Sequence, residues 1–364
     1  MQLYFYTTLY RVLIVNKLYI VHILRYDTVQ ATNVLPKCSQ PDDVVIKVDC
    51  STITLQDCMV RRGKWIDLPS LPYVPGTDIV GTICELGSSS QLQSRFRVGD
   101  LVAAVIPSGG NAKYVKCKAR ELILIPNGVD PVTALCISST YVPAKQCLEV
   151  SRSEGTPLTG ANVLVIFSSG PTQLATIDLC LLEGANVYAI ADARHHQHLQ
   201  SIGVTKCFPV NPKEWIPKLQ GKMDVVFDSV CVDGYESSAK ALAPGGKLVC
   251  SGMSATFTQG PINGLLFGYD FRLLTALYQK AIVKYNIMRN AFYYDKVESF
   301  RDRKAVYDQH FRYLCHVSLR GELKPVVAAR ASLSMVGSLQ QAIERGTAPY
   351  GVCVATPWLT REDL

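Results

Sequence analysis

Short apolar runs separated by Gly and Pro dominate residues 41–150. The runs are Val44–Val48, Cys50–Leu55, Ile79–Leu86, Leu101–Ile106 and Ala112–Cys117. The first of them alternates apolar and polar positions, which is typical of a strand that buries one face. Many short strands with turn residues between them predict a partly closed β-barrel, followed by a helix over Ala134–Val150.

The pattern changes after Gly155, where apolar strands begin to alternate with helical periodicity. Val163–Phe167 is entirely apolar, and Thr172–Glu183 repeats apolar residues at helical spacing until Gly184 ends the repeat. The same alternation continues through Val187–Ala191, Arg194–Ile202, Cys207–Val210, Val225–Asp228 and Lys247–Ser251. Alternation at this spacing predicts βαβ units, and therefore a parallel sheet with helices on both faces.

Two later segments complete the pattern. Residues 271–320 are basic, rich in aromatic residues, and expected to be helical. A helix of this kind either buries its aromatic stripe or lies on a membrane surface, and we favour the buried stripe. The tail, Lys324–Ala329 and Gly351–Pro357, returns to strand character, so we expect it to close the first barrel.

The beginning of the chain is apolar enough to raise the question of a membrane or targeting segment. Arg11, Lys17 and His22 interrupt it, so no run reaches the ~18 apolar residues that a spanning helix needs. No small-residue cleavage site follows an apolar core. We favour two strands here, Arg11–Asn16 and Leu18–Leu24, over a targeting segment.

Composition narrows the function classes. The chain has 364 residues, of which 48% are hydrophobic and 18% charged, so it is expected to be globular, with two domains, rather than disordered. Its 13 cysteines are too dilute for a disulfide-stapled scaffold and fit reduced thiols in the cytoplasm. A net charge of +7 is mild and gives no nucleic-acid signature.

Candidate chemistry begins at the first strand-to-helix turn of the parallel sheet, which is where dinucleotides bind in such folds. The hydroxyls of Ser168, Ser169 and Thr172 are suited to hydrogen-bond a pyrophosphate, and Gly170 allows a close backbone approach. Only one glycine is present, so the strict G-x-G-x-x-G pattern is absent. The alternative interpretation is a plain capping turn.

The second parallel strand ends at Asp192, with Arg194 directly after it. A carboxylate at this place binds the ribose hydroxyls of NAD, whereas a cation favours the additional phosphate of NADP. Asp192 is equally suited to cap the following helix. The nearby histidines, including His196 and His198, lie two positions apart and so on different helix faces, and we expect no metal site there.

Several stretches, taken in their order and spacing, resemble the medium-chain dehydrogenase/reductase superfamily, in its zinc-free quinone oxidoreductase (zeta-crystallin-like) and enoyl reductase branch. These stretches are Asp57–Gly63, Pro75–Gly81, Val98–Val102, Gly109–Val115, Asp228–Val230, Leu242–Val249 and Gly321–Pro325. The resemblance implies an α/β protein with a discontinuous GroES-like β-barrel domain (1–150 and 319–364) and a Rossmann-type doubly wound domain (151–318). It also implies a cofactor cleft and, as in many relatives, a homodimer through the edge of the Rossmann sheet.

The resemblance further implies an NAD(P)H-dependent reduction of a quinone or an activated C=C, with NADPH expected and NADH as the alternative. Zinc-dependent relatives have Gly-His-Glu where this chain has Gly76–Asp78, so no zinc is expected. Ser251 and Gly252 would border the nicotinamide, while Thr54 and Lys145 would face the reacting centre. Lys145 would then stabilise the acceptor oxygen that becomes negative. The alternatives are a solvated Lys145 and a Thr54 hydroxyl bonded to backbone.

Some family positions are changed in this chain. Two glycines of the cofactor turn are Phe167 and Gln173, and the Lys that usually follows the last glycine is Val352. These changes favour an alternative function, that of a regulatory protein which keeps the reductase fold but has weakened or lost its cofactor binding and turnover.

Overall fold

The computed structural model describes residues 19–21, 28–30, 35–62, 69, 73–152, 156–166, 170–252, 265–266, 269–270, 281 and 290–359. The chain divides into two compact units. The first comprises residues 1–124, 329–349 and 353–364, and the second comprises residues 125–328 and 350–352. Arg11–Asn16, expected to be a strand, lies outside the described residues.

A mostly antiparallel sheet forms the centre of the first unit. A short hairpin of β1 (Tyr19–Val21) and β2 (Thr28–Gln30) precedes it. The sheet strands are β3 (Asp43–Ile53), β4 (Asp78–Leu86), β5 (Leu101–Val105), β6 (Tyr114–Lys118), β7 (Leu122–Leu124), β16 (Val327–Ala331) and β17 (Val352–Ala355). Their order is β16-β17-β3-β4-β5-β7, with β6 also paired to β3. Strand β17 pairs with β3, so this part of the tail joins the first sheet, while its closing of a barrel stays a prediction.

Helices α1 (Leu55–Arg61) and α2 (Ser90–Arg95) also belong to this unit. The two strands expected over Val44–Val48 and Cys50–Leu55 form one long strand instead, with register irregularities between Val45 and Ile46 and between Val48 and Cys50. The strand ends at Ile53, so the expectation was wrong at Leu55, where α1 already begins.

A parallel sheet forms the centre of the second unit. Its strands are β8 (Asn162–Ile166), β9 (Asn186–Ile190), β10 (Lys206–Phe208), β11 (Met223–Asp228), β12 (Leu242–Cys250) and β15 (Ala291–Tyr293). Their order is β10-β9-β8-β11-β12-β15, so the first strand lies in the middle and the chain winds outward in both directions. This is the doubly wound order, and it confirms the predicted fold class. The direction of winding changes between β8 and β11.

In the described part of the second unit the helices are α3 (Pro131–Cys136), α4 (Val142–Val150), α5 (Pro171–Leu182), α6 (Ala193–Ser201), α7 (Pro212–Leu219), α8 (Glu236–Ala241), α9 (Lys296–Asp302) and α10 (Lys304–Leu319). A short antiparallel pair, β13 (Leu265–Leu266) and β14 (Tyr269–Asp270), lies outside the main sheet. Helix α11 (Val336–Glu344) follows in the first unit. Within the described ranges, none of these helices is both long and apolar enough to cross a bilayer.

The helix expected over Ala134–Val150 is interrupted by a π-helical turn at residues 137–141. Pro143 has no N–H to donate to the carbonyl of Ser139 four residues before it, which weakens the regular pattern at this point. The hydroxyl of Tyr307 on α10 donates to the neighbouring Ser138 carbonyl at 2.5 Å and so satisfies one acceptor of the widened turn. We attribute the interruption to Pro143 and to the hydrogen bond from Tyr307.

The helical expectation for residues 271–320 was wrong at 291–293, which form the outer strand β15. It was right over α9 and α10.

Residues 125–150 pack with the second unit, because α4 lies against α5 and α10. The domain boundaries at 150 and 319 remain a prediction.

Candidate functional site

The candidate site of the second unit lies where the sheet changes its winding direction. Ligands of doubly wound sheets bind at this point, beyond the carboxyl ends of the strands. A small cavity of about 10 Å³ is found here, with room for about one water molecule. It is lined by Cys147, Val165, Thr172, Gln173, Thr176, Phe227, Ser229 and Ser251.

Helix α5 points its N-terminus at this end of the sheet. Gly170 is the N-cap, in an extended conformation, and it has no side chain with which to cap the helix. Pro171 follows at the first helical position, where its missing N–H costs nothing. The backbone N–H groups of Thr172 and Gln173 therefore receive no cap from the N-cap residue. Together with the helix dipole, this arrangement suits an anion such as a pyrophosphate.

Gln173 occupies the crevice itself. Its side chain is 92% buried, and its amide nitrogen donates to the hydroxyl of Ser229 beyond the end of β11. Gln173, which stands at a family glycine position, and Ser229 both line the cavity. The pattern of the sequence identified the position but gave no indication of the direction in which the side chain points.

A buried carboxylate fixes the strand ends around the cavity. Asp228 accepts hydrogen bonds from the backbone N–H groups of Val230 (2.7 Å) and Cys231 (3.0 Å) and from the Ser238 hydroxyl (2.7 Å). Burial raises the pKa of Asp228, and these donors oppose the rise. The N–H of Ser251 donates to the Asp228 carbonyl at 3.0 Å. The ends of β11 and β12 are thereby held next to each other.

Tyr235 also supports this edge of the sheet. Its backbone has a φ of 69°, in the left-handed region that bulky side chains rarely adopt. The ring is fully buried, and its hydroxyl donates to the Gly252 carbonyl at 2.6 Å. The carbonyl next to Ser251 is therefore tied down by a residue in an unfavourable backbone conformation, which the surrounding packing must maintain.

Asp192 and Arg194 lie at the adjoining strand end, since Ile190 of β9 is paired with Ile166 of β8. Asp192 caps α6 by accepting the N–H of Arg194 at 3.1 Å, and its carboxylate is 3.6 Å from the guanidinium of the same residue. Both side chains are 55% exposed. Asp192 therefore caps α6, the Arg194 guanidinium lies at the surface of this corner, and a ligand-binding role of either residue stays a prediction.

The three neighbouring histidines are oriented differently. His195 and His198 both pack against Tyr350, with ring centroids 5.3 and 4.6 Å away. Burial lowers the pKa of His195. His196 directs Nε2 at the Ala191 carbonyl, 2.9 Å away. Within the described ranges, no group of three or more His, Cys, Asp or Glu side chains is arranged to hold a metal ion.

Thr54, in the first unit, is the N-cap of α1. Its hydroxyl donates to Asp57 at 2.7 Å and accepts the Asp57 N–H at 3.2 Å, which completes a capping box. Asp57 is fully buried and also accepts the N–H of Gly76 at 2.9 Å, so it joins the helix start to that loop. Burial raises its pKa. Asp57 was not selected from the sequence as a site residue, although the Thr-x-x-Asp spacing signals a cap.

Lys145 lies on α4 with its ammonium 3.1 Å from Glu149, one turn further along. His310 of α10 reaches the other oxygen of Glu149, also at 3.1 Å. Burial alone would raise the pKa of Glu149, but His310 and Lys145 outweigh it and lower the pKa to about 2. Cys147, not Lys145, is the α4 residue that lines the cavity. The catalytic roles of Thr54 and Lys145 stay predictions.

Among the predicted cofactor residues, the structure brings Thr172 and Ser251 to one cavity, with Gly170 and Gly252 close to them along the chain. Ser168 and Ser169 lie outside the described residues, as does Phe167. Ser229 lines the cavity but was not selected from the sequence. Its place directly after the strand that ends at Asp228 was the available signal, because strand ends at the switch point contribute to ligand sites.

Comparisons with known proteins cover both units. Residues 40–150 match the family model of the alcohol dehydrogenase GroES-like domain, and residues 172–290 match that of the zinc-binding dehydrogenases. The second name raises the question of zinc. Thr77 stands at the position where the resemblance places a histidine ligand, and its hydroxyl donates to Asp78 at 3.2 Å. The donor set of the described residues does not fit a zinc ion.

Two curated relatives illustrate the similarity. A synaptic vesicle membrane protein VAT-1 homolog of Rattus norvegicus is 27% identical over 248 residues, which cover 66% of this chain and 60% of the rat protein. The chain thus matches about three fifths of that relative's length. A quinone oxidoreductase of Homo sapiens is 25% identical over 325 residues, which cover 87% of this chain and 89% of the human protein.

A solved structure shares the fold along almost the whole chain. The structure of a mycobacterial protein in complex with NADPH superposes with a TM-score of 0.72 at 17% identity, covering 94% of this chain and 99% of the other. The two family models, the curated relatives and the doubly wound sheet agree with the resemblance found in the sequence. The chain belongs to the medium-chain dehydrogenase/reductase superfamily.

Proposed function

We propose that the second unit binds a nicotinamide dinucleotide and that the protein is an NADPH-dependent oxidoreductase. The observation that carries the proposal is the N-terminus of α5. It begins at Gly170 without a capping side chain, and it lies at the switch point between β8 and β11. Polar groups at the neighbouring strand ends, Ser229 and Ser251, add hydrogen-bonding capacity. The similarity to a mycobacterial protein solved with NADPH supports the choice of ligand.

Each residue has a separate task in this proposal. The N–H groups of Thr172 and Gln173 and the Thr172 hydroxyl would hold the pyrophosphate, together with Ser168 and Ser169. Ser251 and Gly252 would border the nicotinamide. The bound cofactor would supply the hydride. The protein would orient it and exclude water.

Arg194 favours NADPH over NADH in this proposal. The carboxylate of Asp192 already caps α6 and has the Arg194 guanidinium nearby, so it is less available to the ribose hydroxyls of NAD. The guanidinium is half exposed, and its planar donors suit a phosphate. NADH remains the alternative ligand.

The proposed acceptor is a quinone or an activated C=C. The similarity to a human quinone oxidoreductase supports this class. The donor set of the described residues does not fit zinc, and in this proposal groups of the chain itself stabilise the acceptor oxygen. Lys145 is the candidate in the second unit. Thr54 of the first unit stays a candidate on the family resemblance alone. A cytoplasmic location and a homodimer through the edge of the parallel sheet also remain part of the proposal.

Calorimetric titration of the purified full chain with NADPH and NADH tests the cofactor. We expect NADPH to bind more tightly, and we expect oxidation of bound NADPH when a panel of quinones and enones is added. If neither dinucleotide binds at millimolar concentration, the proposed function is wrong.

A second function is favoured by one observation, the Gln173 side chain in the crevice. A protein with a filled crevice would keep the fold as a regulatory module and bind the dinucleotide weakly. Binding of NADPH without oxidation by any acceptor of the panel would support this second function.

A further inference from the structure

We propose that Gln173 sets the affinity for the dinucleotide by occupying the place in the crevice that the ligand must enter. This inference rests on the proposed function. It adds a specificity-determining residue, because a ligand must displace the Gln173 side chain before it can use the N-terminus of α5.

The geometry around Gln173 gives the first argument. The side chain is buried, and its amide donates to Ser229 across the gap between α5 and the end of β11. With the amide in this position, the cavity measures about 10 Å³, enough for about one water molecule and far too small for a ribose or a pyridine ring. Gln173 is therefore one of the residues that bound this small space.

The position of Gln173 within the helix gives the second argument. It is the third helical residue after the N-cap Gly170, where Gln commonly turns back to accept the N–H of the N-cap. Asp57 makes this reciprocal contact at the same position of α1. Gln173 instead directs its amide toward Ser229. If the Gln173 side chain rotates toward Gly170, its amide oxygen can accept the N–H of Gly170. This hydrogen bond defines the open state of the crevice.

Helix α5 does not need Gln173 for its attachment to the sheet. Leu174, Ala175 and Ile177 are buried and supply the apolar face of the helix. The Thr176 hydroxyl is satisfied by the Thr172 carbonyl at 2.9 Å. Shortening Gln173 should therefore open the crevice without unfolding the unit.

The consequence is a closed population that competes with the ligand. If only a fraction of the molecules has Gln173 turned away, the apparent dissociation constant rises by the inverse of that fraction. The contact to be broken is one hydrogen bond of a buried amide, so we expect an effect on the order of tenfold.

The experiment compares three variants with the natural chain by calorimetric titration with NADPH. Gln173→Ala removes both the volume and the hydrogen bond. Gln173→Met keeps the volume and removes only the hydrogen bond. Gln309→Ala makes the same chemical change at an exposed position of α10 and serves as the control. Thermal melting without ligand verifies that each variant is folded.

We expect Gln173→Ala to lower the dissociation constant roughly tenfold, with Gln173→Met in between and Gln309→Ala unchanged. Equal affinity of the natural chain and Gln173→Ala would overturn the inference while leaving the proposed function intact. Binding by Gln173→Ala but not by the natural chain would support the inference and contradict the proposed activity. If none of the chains binds, both the inference and the proposed function are wrong.

Discussion

Helices α5 and α6 follow neighbouring parallel strands, yet their N-termini are built differently. Helix α6 begins with Asp192, whose carboxylate accepts the N–H of Arg194 and so caps the helix from within. Helix α5 begins with Gly170 and Pro171, and its N-cap provides no side chain. The N-terminus of α6 is thus capped by its own side chain. The N-terminus of α5 leaves its dipole and N–H groups to another partner.

The difference separates a structural helix start from a candidate binding site within one sheet. The sheet alone does not distinguish them, because both helices begin at the carboxyl edge. The residue at the N-cap does, and three substitutions test whether this distinction is correct.

Gly170→Asp should have the largest effect, because it gives α5 the same cap as α6. The backbone of Gly170 is already extended, so an aspartate adopts it without backbone strain. Its carboxylate would take the N–H groups and repel a pyrophosphate. We expect the dissociation constant for NADPH to rise on the order of 100-fold, as measured by calorimetry.

Gly170→Asn is the matched control, since it caps equally well without the negative charge. It should weaken binding much less than Gly170→Asp. If the two variants bind NADPH as tightly as the natural chain, the N-terminus of α5 is not the pyrophosphate site.

Arg194→Ala should have the second-largest effect, on NADPH affinity. Loss of a charged donor to the additional phosphate is expected to weaken NADPH binding roughly 10- to 100-fold, with little change for NADH. Titrations with both dinucleotides measure the difference. Arg301→Ala, at an exposed arginine next to Asp302, is the control and should change neither. An equal loss for both dinucleotides would show that Arg194 does not read the phosphate.

Asp192→Ala should have the smallest effect, on stability. Removal of the cap of α6 is expected to lower the free energy of unfolding by about 1 kcal/mol, as measured by urea denaturation. Asp192→Asn should restore most of it, because Asn caps through the same oxygen. Equal losses in both variants would mean that the charge near Arg194, and not the cap, provides the stability.

The sequence predicted much of the second unit because its strands are strongly apolar and bounded by clear helix signals. The predicted Val163–Phe167 and Val187–Ala191 lie within one residue of β8 and β9. The strand β15 was missed, because three apolar residues in an aromatic segment carry no periodicity that distinguishes a strand from a helix.

The candidate site was predictable only in part. Thr172 and Ser251 could be selected because strand order brings their positions to one edge. The inward direction of the Gln173 side chain could not be predicted. Whether its amide bonds to Ser229 or to the start of the helix depends on tertiary packing. The pairing of Lys145 with Glu149 is a four-residue spacing that was visible in the sequence, but the contribution of His310 from α10 was not.

The pairing of β17 with β3 has a consequence for how the protein is made. Cys353 lies opposite Ile53, 300 positions earlier, so the first sheet lacks this strand until those 300 residues have been synthesised. At ~5–20 residues per second, translation takes roughly 15–60 s to bridge that interval. During this time the end of β3 at residues 51–53 lacks its partner strand and can pair with other chains. The parallel sheet, whose strands all lie between residues 162 and 293, can assemble earlier, so synthesis itself imposes an order on maturation.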